Sequence, residues 1–386
     1  MTFSLPGIRF CSGAEVFSPD TVHTTPLGYE RRQLAVGAPL PIPPSAELVC
    51  RLAECDGVLV SFRGKLGDSL LAISAVRAVH DWLTLQSPTG PLLVQAEGPY
   101  AKLIARTGTL TDPPGAAMGG KFVVIGDRES VERHTDDAHL RVVCDPAAPP
   151  CWTSDGRAFP DMPARHYLAL ERRLGFRLPA QGSFAPTLTA APNRLTRQLR
   201  AAGWFDGLTV VAITATSWPE HKDYTAERFT EVACRIADAR KTPVRLLLVG
   251  GDQNGCVRVA AAGAVRGVRI LHLDGLPADA LADVLPNCDL VLGNDTGLTH
   301  LAAMARRADG GGPPVLGLYA RHSHSKWRTG LPHHHAVASP FSERMHQGDL
   351  CPVRDGVTPD AGADLSGILP AAVARVCVDL LGGTPQ

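Results

Sequence analysis

Apolar and polar positions between residues 57 and 340 follow two alternating rhythms. Short apolar, β-branched runs predict buried strands at GVLVSF (57–62), PLLVQAE (91–97), KFVVIGD (121–127) and LRVVCD (140–145). Behind the first run, Leu71, Ala75, Val79 and Trp82 recur at three- or four-residue steps, which predicts an amphipathic helix. RHYLALERRL (165–174) predicts a second helix, and the polar, Pro/Gly-containing stretch 175–192 reads as a boundary. The alternation then restarts. LTVVAIT (208–214), VRLLLVGG (244–251), RILHLDG (269–275), CDLVLGND (288–295) and PVLGLYA (314–320) predict strands, the last being the final clear one. Helices are expected over 226–239, with Phe229, Val232, Ala233 and Ile236 on one face, and over 278–285 and 298–306.

Strand, short glycine turn and helix in repetition make a parallel α/β sheet. Two successive runs imply two Rossmann-like domains facing a cleft. The expected division is an N-terminal domain over 56–190, a second domain over 191–345 and a tail over 346–386. The tail's helix, 368–381, is expected to cross back onto the first domain. Residues 1–55 carry prolines at 6, 19, 26, 39, 41, 43 and 44, and are read as an irregular extension.

Composition narrows the class. Apolar residues are 45% and charged residues 20% of 386, which suits packed cores. Lys plus Arg is 38 and Asp plus Glu is 38, so a chain devoted to coating nucleic acid or an anionic membrane is disfavoured. No run reaches the ~18 consecutive apolar residues of a membrane span, and the N-terminus lacks a secretory pattern. The 10 cysteines are scattered without a C-x-x-C pair, which reads as reduced thiols and a cytoplasmic protein without disulfides.

Three turns could carry chemistry. Gly293 to His300 (GNDTGLTH) joins a buried strand to a helix. A helix start there offers backbone N–H groups and a positive dipole end to phosphate oxygens. Gly297 permits close approach, Thr296 and Thr299 add hydroxyls, and Asp295 suits sugar hydroxyls. Asp295 or Thr296 would serve equally well as a simple N-cap. Gly67-Asp68 occupies the first strand-to-helix turn, where Asp68 could take a proton from a hydroxyl that turns acidic as it reacts. Capping and the dipole explain an aspartate at that place just as readily. Lys222 follows Thr216 and Ser217 after the first strand of the second half, a set that suits a pyrophosphate leaving group. A solvated surface lysine is the plain alternative.

Absences also weigh. The chain has no D-x-D pair, no P-loop, no G-x-G-x-x-G after a strand and no G-x-S-x-G elbow. His322-x-His324 and His333-His334-His335 lack zinc spacing, and are read as a solvated or acceptor-facing loop.

Taken together, these turns resemble glycosyltransferase family 9, the ADP-heptose heptosyltransferases of lipopolysaccharide synthesis. The likeness rests on Gly67 to Leu71 with Ala75 to Ala78, Arg165 to Phe176, Lys222 to Phe229, Asn294 to Ala302 (NDTGLTHLA) and Tyr319 to Trp327. It spans about residues 57–340. Tyr224-Thr225 stands where the family has Trp-Pro, and Ala320-Arg321 where it has Gly-Pro. The resemblance implies a GT-B fold and inverting transfer without a metal. It implies Asp68 as general base, and Lys65 and Gly67 on the acceptor side. Thr216, Ser217, Lys222, Asp252, Asp295, Thr296, Gly297, Leu298, Thr299 and His300 would bind the donor, ADP-heptose. The acceptor would be a glycan or a small molecule. A silent nucleotide-sugar-binding protein and a nucleotide-sugar epimerase on the same scaffold are the alternatives.

Overall fold

Runs 57–61 and 122–126 of the first half are buried on both faces and can only sit inside a covered sheet, while runs 93–97 and 140–143 pair along its flanks. A computed structural model describes residues 3–5, 8–11, 50–51, 54–74, 76, 93–108, 120–134, 138–144, 161–164, 166–167, 184–216, 222–251, 255–324, 326–343 and 363–382. In it β3 (Gly57–Ser61), β4 (Leu93–Glu97), β5 (Phe122–Gly126) and β6 (Leu140–Val143) form a parallel sheet in the order β4-β3-β5-β6. Helix α1 (66–74) follows β3 after a four-residue turn. Strand order reverses at β3, so the turn after it opens onto the sheet's switch point.

Among the described residues the second sheet has nine strands. Its parallel heart contains β8 (Leu208–Ile213), β9 (Val244–Val249), β11 (Val268–Leu273), β12 (Leu290–Asn294) and β14 (Val315–Tyr319). Strand β8 lies between β9 and β12, with Gly293 opposite Ile213. Helix α3 (Ala226–Arg240) packs Phe229, Val232, Ala233 and Ile236 on this sheet, all fully buried. Thr225 caps it, its hydroxyl accepting from the Arg228 N–H. Other helices of this half are α2 (Arg194–Ala201), α4 (Ala278–Val284) and α5 (Gly297–Met304).

Three expectations change. Val315–Tyr319 is not the last strand: β15 (His334–Ala338) extends the sheet, pairing parallel with β14. Two of the three consecutive histidines therefore lie in a strand, where burial holds them neutral and lets them pack like apolar residues. The extension is not wholly irregular. Its β1 (Phe3–Leu5) and β2 (Ile8–Cys11) form a hairpin, and β2 pairs antiparallel with β15. An otherwise open sheet edge is thereby covered, as edges usually are. Finally, α6 (Pro370–Gly382) does not cross to the first half. Val373, Val376 and Cys377 pack with Phe229 and Ile236 of α3. An apolar stripe states that a partner exists, not which one.

The halves are joined at several points. The segment before α2 carries β7 (Leu188–Thr189), which pairs with β13 (Ala305–Arg306). Arg106 of the first half grips Asp283 of α4 through two guanidinium nitrogens, and Asp283 is 3% exposed. Asp283 also accepts from the Ala191 N–H at 2.8 Å and from the Asn193 amide at 2.9 Å. Leu71 of α1 packs with Met162, Tyr319, Trp327 and Ala336.

Candidate active site

Adjacent strands bring distant turns together. Because β8 and β12 are neighbours, the segments after them lie side by side at the sheet's carboxyl edge. Asn294 stitches the two. Its side chain accepts from the Tyr224 N–H at 3.0 Å and donates to the Thr214 carbonyl at 3.0 Å. Gly293 must be glycine, since a Cβ there would fall 2.1 Å from Thr299 Oγ1.

Within this frame Lys222 Nζ donates to Asp295 Oδ2 at 2.7 Å, both side chains being at most 10% exposed. Sequence reading gave these residues separate partners; the fold makes them an ion pair. A third member was misread. His322 was expected in a solvated or acceptor-facing loop; it is buried rather than solvated, with Nδ1 3.1 Å from the same Asp295 oxygen. His324 is buried too, its Nε2 3.0 Å from Glu343. The usable signal was position: both histidines follow β14 at the carboxyl edge.

Electrostatics follow from burial. Desolvation pushes the Asp295 carboxyl up, but Lys222, then His322, outweigh it and hold it below the usual carboxylate range. His300 is pushed down to about 4 by burial, against the opposing pull of Asp295 and Asp68. It is neutral at pH 7, and its Nδ1 has no hydrogen-bond partner among the described residues. His334 is also driven down by burial, and His335 to about 4.

The helix start resolves one ambiguity. Thr296 occupies the N-cap of α5 with extended backbone but makes no side-chain cap bond, and Asp295 is engaged with Lys222 and His322. Neither serves as the cap. Thr299, buried, donates to the Asn294 carbonyl at 2.7 Å, so its hydroxyl holds the turn. Gly297 and Leu298 are half-buried in the first turn of α5, and Thr216 is buried after β8. Ser217 and Asp252 lie outside the described residues.

The two halves meet at their glycines. A Cβ on Gly297 would fall 2.5 Å from the Gly67 nitrogen, and one on Gly67 would fall 3.3 Å from the Gly297 Cα. No side chain larger than hydrogen fits at 297. Asp68, next in the chain, sits half-buried in the first turn of α1, and Lys65 is exposed just before that turn. Among the described residues, no group of three His, Cys, Asp or Glu side chains is placed to hold a metal. No helix described is long and apolar enough to cross a membrane. Cys50, Cys55, Cys144, Cys234, Cys256, Cys288 and Cys377 are free thiols, all but Cys50 buried.

Residues 164–353 match the model of glycosyltransferase family 9 (heptosyltransferase). No curated protein matches the chain by sequence. Among solved structures, the fold is similar to Escherichia coli ADP-heptose lipopolysaccharide heptosyltransferase II (TM-score 0.55, 15% identity, covering 84% of this chain and 98% of that one). It is similar to a family 9 glycosyl transferase from Veillonella parvula (TM-score 0.58, 14% identity, 84% and 97% covered). E. coli heptosyltransferase WaaC with ADP is a third match (TM-score 0.54, 17% identity, 83% and 99% covered). The architecture is thus the GT-B fold, two Rossmann-like halves around a cleft.

Proposed function

From a chain that carries a glycosyltransferase family 9 domain over residues 164–353 and is a glycosyltransferase, we propose an inverting, metal-independent enzyme that moves heptose from ADP-heptose to a hydroxyl of a glycan or small-molecule acceptor. One observation carries this reading: the contact of Gly67 with Gly297 sets the turn bearing Asp68 against the helix start at Thr296–His300.

The chemistry follows from that juxtaposition. The donor's diphosphate lies at the N-terminus of α5, where backbone N–H groups and the dipole favour it. Lys222 supplies positive charge beside the departing diphosphate, which is the charge a divalent ion would otherwise bring. Asp295, held ionised by Lys222 and His322, accepts from sugar hydroxyls. Asp68 takes the acceptor's proton as its oxygen forms the new bond to the anomeric carbon, and the bond to the diphosphate breaks on the opposite face. The carboxylate is a weak base toward a free hydroxyl, but bond formation makes that hydroxyl acidic late in the step. WaaC with ADP and with an ADP-fluoroheptose supports an adenosine diphosphate donor here by likeness.

Asp68→Asn tests the reading. Transfer should fall at least about a thousandfold, while ADP affinity by calorimetry changes less than about threefold. Retained turnover removes Asp68 from the base role. Activity unchanged by a chelator is expected for a lysine-assisted departure. Product formed from donor alone would favour an epimerase, and no product with any acceptor a binding protein.

A further inference from the structure

The backbone that carries Asp68 is irregular before α1 begins, and irregular backbone needs partners for its N–H and C=O groups. At residues 63 and 64 they come from elsewhere in the first half. Asp127, directly after β5, accepts from the Arg63 N–H at 2.5 Å and the Gly64 N–H at 2.7 Å, both on Oδ2. The Tyr100 hydroxyl donates to the Gly64 carbonyl at 2.8 Å. Gly64 is thus gripped from both sides by residues 36 and 63 positions away. Beyond the grip, the Lys65 carbonyl accepts from the Ser69 N–H at 3.0 Å, and the helix is under way.

Helix capping does not account for this arrangement. The other oxygen of Asp127, Oδ1, caps the short helix Arg128–Glu132 by accepting from the Ser130 N–H at 2.9 Å. One oxygen is enough for a cap, and the second is spent wholly on the other turn. Burial pushes the carboxyl up, but the bonds from the Ser130, Gly64 and Arg63 N–H groups keep it below its usual range. A clamp of two charge-assisted bonds on adjacent amides leaves the turn little angular freedom.

We propose that Asp127 is a positioning residue for the transfer reaction: by clamping the amides of Arg63 and Gly64 it fixes where Asp68 stands relative to the acceptor oxygen. The proposal rests on the reading of Asp68 as base. In this role Asp127 acts through the backbone, from the half opposite the Lys222–Asp295 pair.

Asp127→Asn separates clamp from cap, because an amide keeps one acceptor oxygen and cannot serve both sets of N–H groups. The expected result is hydrogen exchange at least about tenfold faster in peptides covering residues 62–70, with the second half unchanged. Turnover should fall roughly 10- to 100-fold, as misplacement of a reacting group does. The donor KM and ADP affinity should stay within about threefold. Tyr100→Phe, which removes the grip on the carbonyl alone, should give a smaller effect of the same kind. Unchanged exchange at 62–70 overturns the proposal, as does faster exchange with unchanged kcat, or a raised acceptor KM with unaltered kcat. If Asp68→Asn proves active while Asp127→Asn still loosens the turn and slows turnover, the base assignment fails and the clamp stands.

Discussion

The two turns that meet at Gly67 and Gly297 are built on opposite plans. On the first-half side, Asp68 is half-buried in the first turn of a helix, and the backbone before that helix is gripped at Arg63 and Gly64 by Asp127 and Tyr100. On the second-half side, Lys222, Asp295 and His300 are all at least nine-tenths buried, and two of them neutralise each other. The contrast fits the proposed roles. On that proposal, a group that accepts a proton from an incoming molecule would need to stay reachable, while charges that stabilise a departing anion would gain from a dry, preorganised setting. Removing two charges from water is costly, and a buried pair often adds little stability of its own.

The contrast can be broken by removing the charge on the donor side. Lys222→Met should lower kcat about 100- to 1000-fold and weaken ADP binding. Asp295 would also be left buried without its cation, which should destabilise the fold by about 3 kcal/mol or more. Chemical denaturation beside steady-state kinetics tests both, and normal stability with normal ADP affinity would place the pair outside the donor site. Next in size is the join between halves. Arg106→Ala strands Asp283 and should cost about 3 kcal/mol, read as a lower denaturation midpoint. ADP affinity should change far less, and loss of ADP binding at unchanged stability would contradict a purely joining role.

The smallest expected effect concerns pH. His300 and His335 ionise near 4 when folded and near 6.5 when free. Below 6.5 the unfolded chain takes up their protons first, so stability is lost as pH falls from 6.5 toward 4. The slope approaches about 1.4 kcal/mol per pH unit for each histidine. Asp295, also lowered, acts in the same direction but only below about 4, where a free aspartate gains its proton. Urea midpoints at pH 7 and 5.5 measure the histidine part, and His300→Asn should reduce the slope. A flat profile would show that these rings are not buried in solution.

Much of the fold was readable in the apolar pattern. GVLVS, VRLLLV and the Phe229–Ile236 face are apolar in the rhythm of the elements they form. The carboxyl-edge turns followed from them. Less readable were elements whose letters disagree with their setting. His334 and His335 look polar yet line β15, and the 3–11 hairpin is short and lies next to a proline-rich stretch. In the site, Asp127 passed for the end of a strand, because its value lies in bonds to amides 63 and 64 positions earlier. His322 lies in a loop as read but passed for a solvated residue, because its partner Asp295 is 27 residues away.

What the sequence by itself determined is the set of strands and helices and the chemical kind of each turn, since these depend on neighbours within a few residues. Tertiary structure alone decided that Lys222 and Asp295 form one ion pair, that Gly297 must lie against Gly67, and that the last helix packs on α3. Those outcomes depend on which strands become neighbours and on burial. Burial changes the free energy of a charge far more than any adjacent residue does.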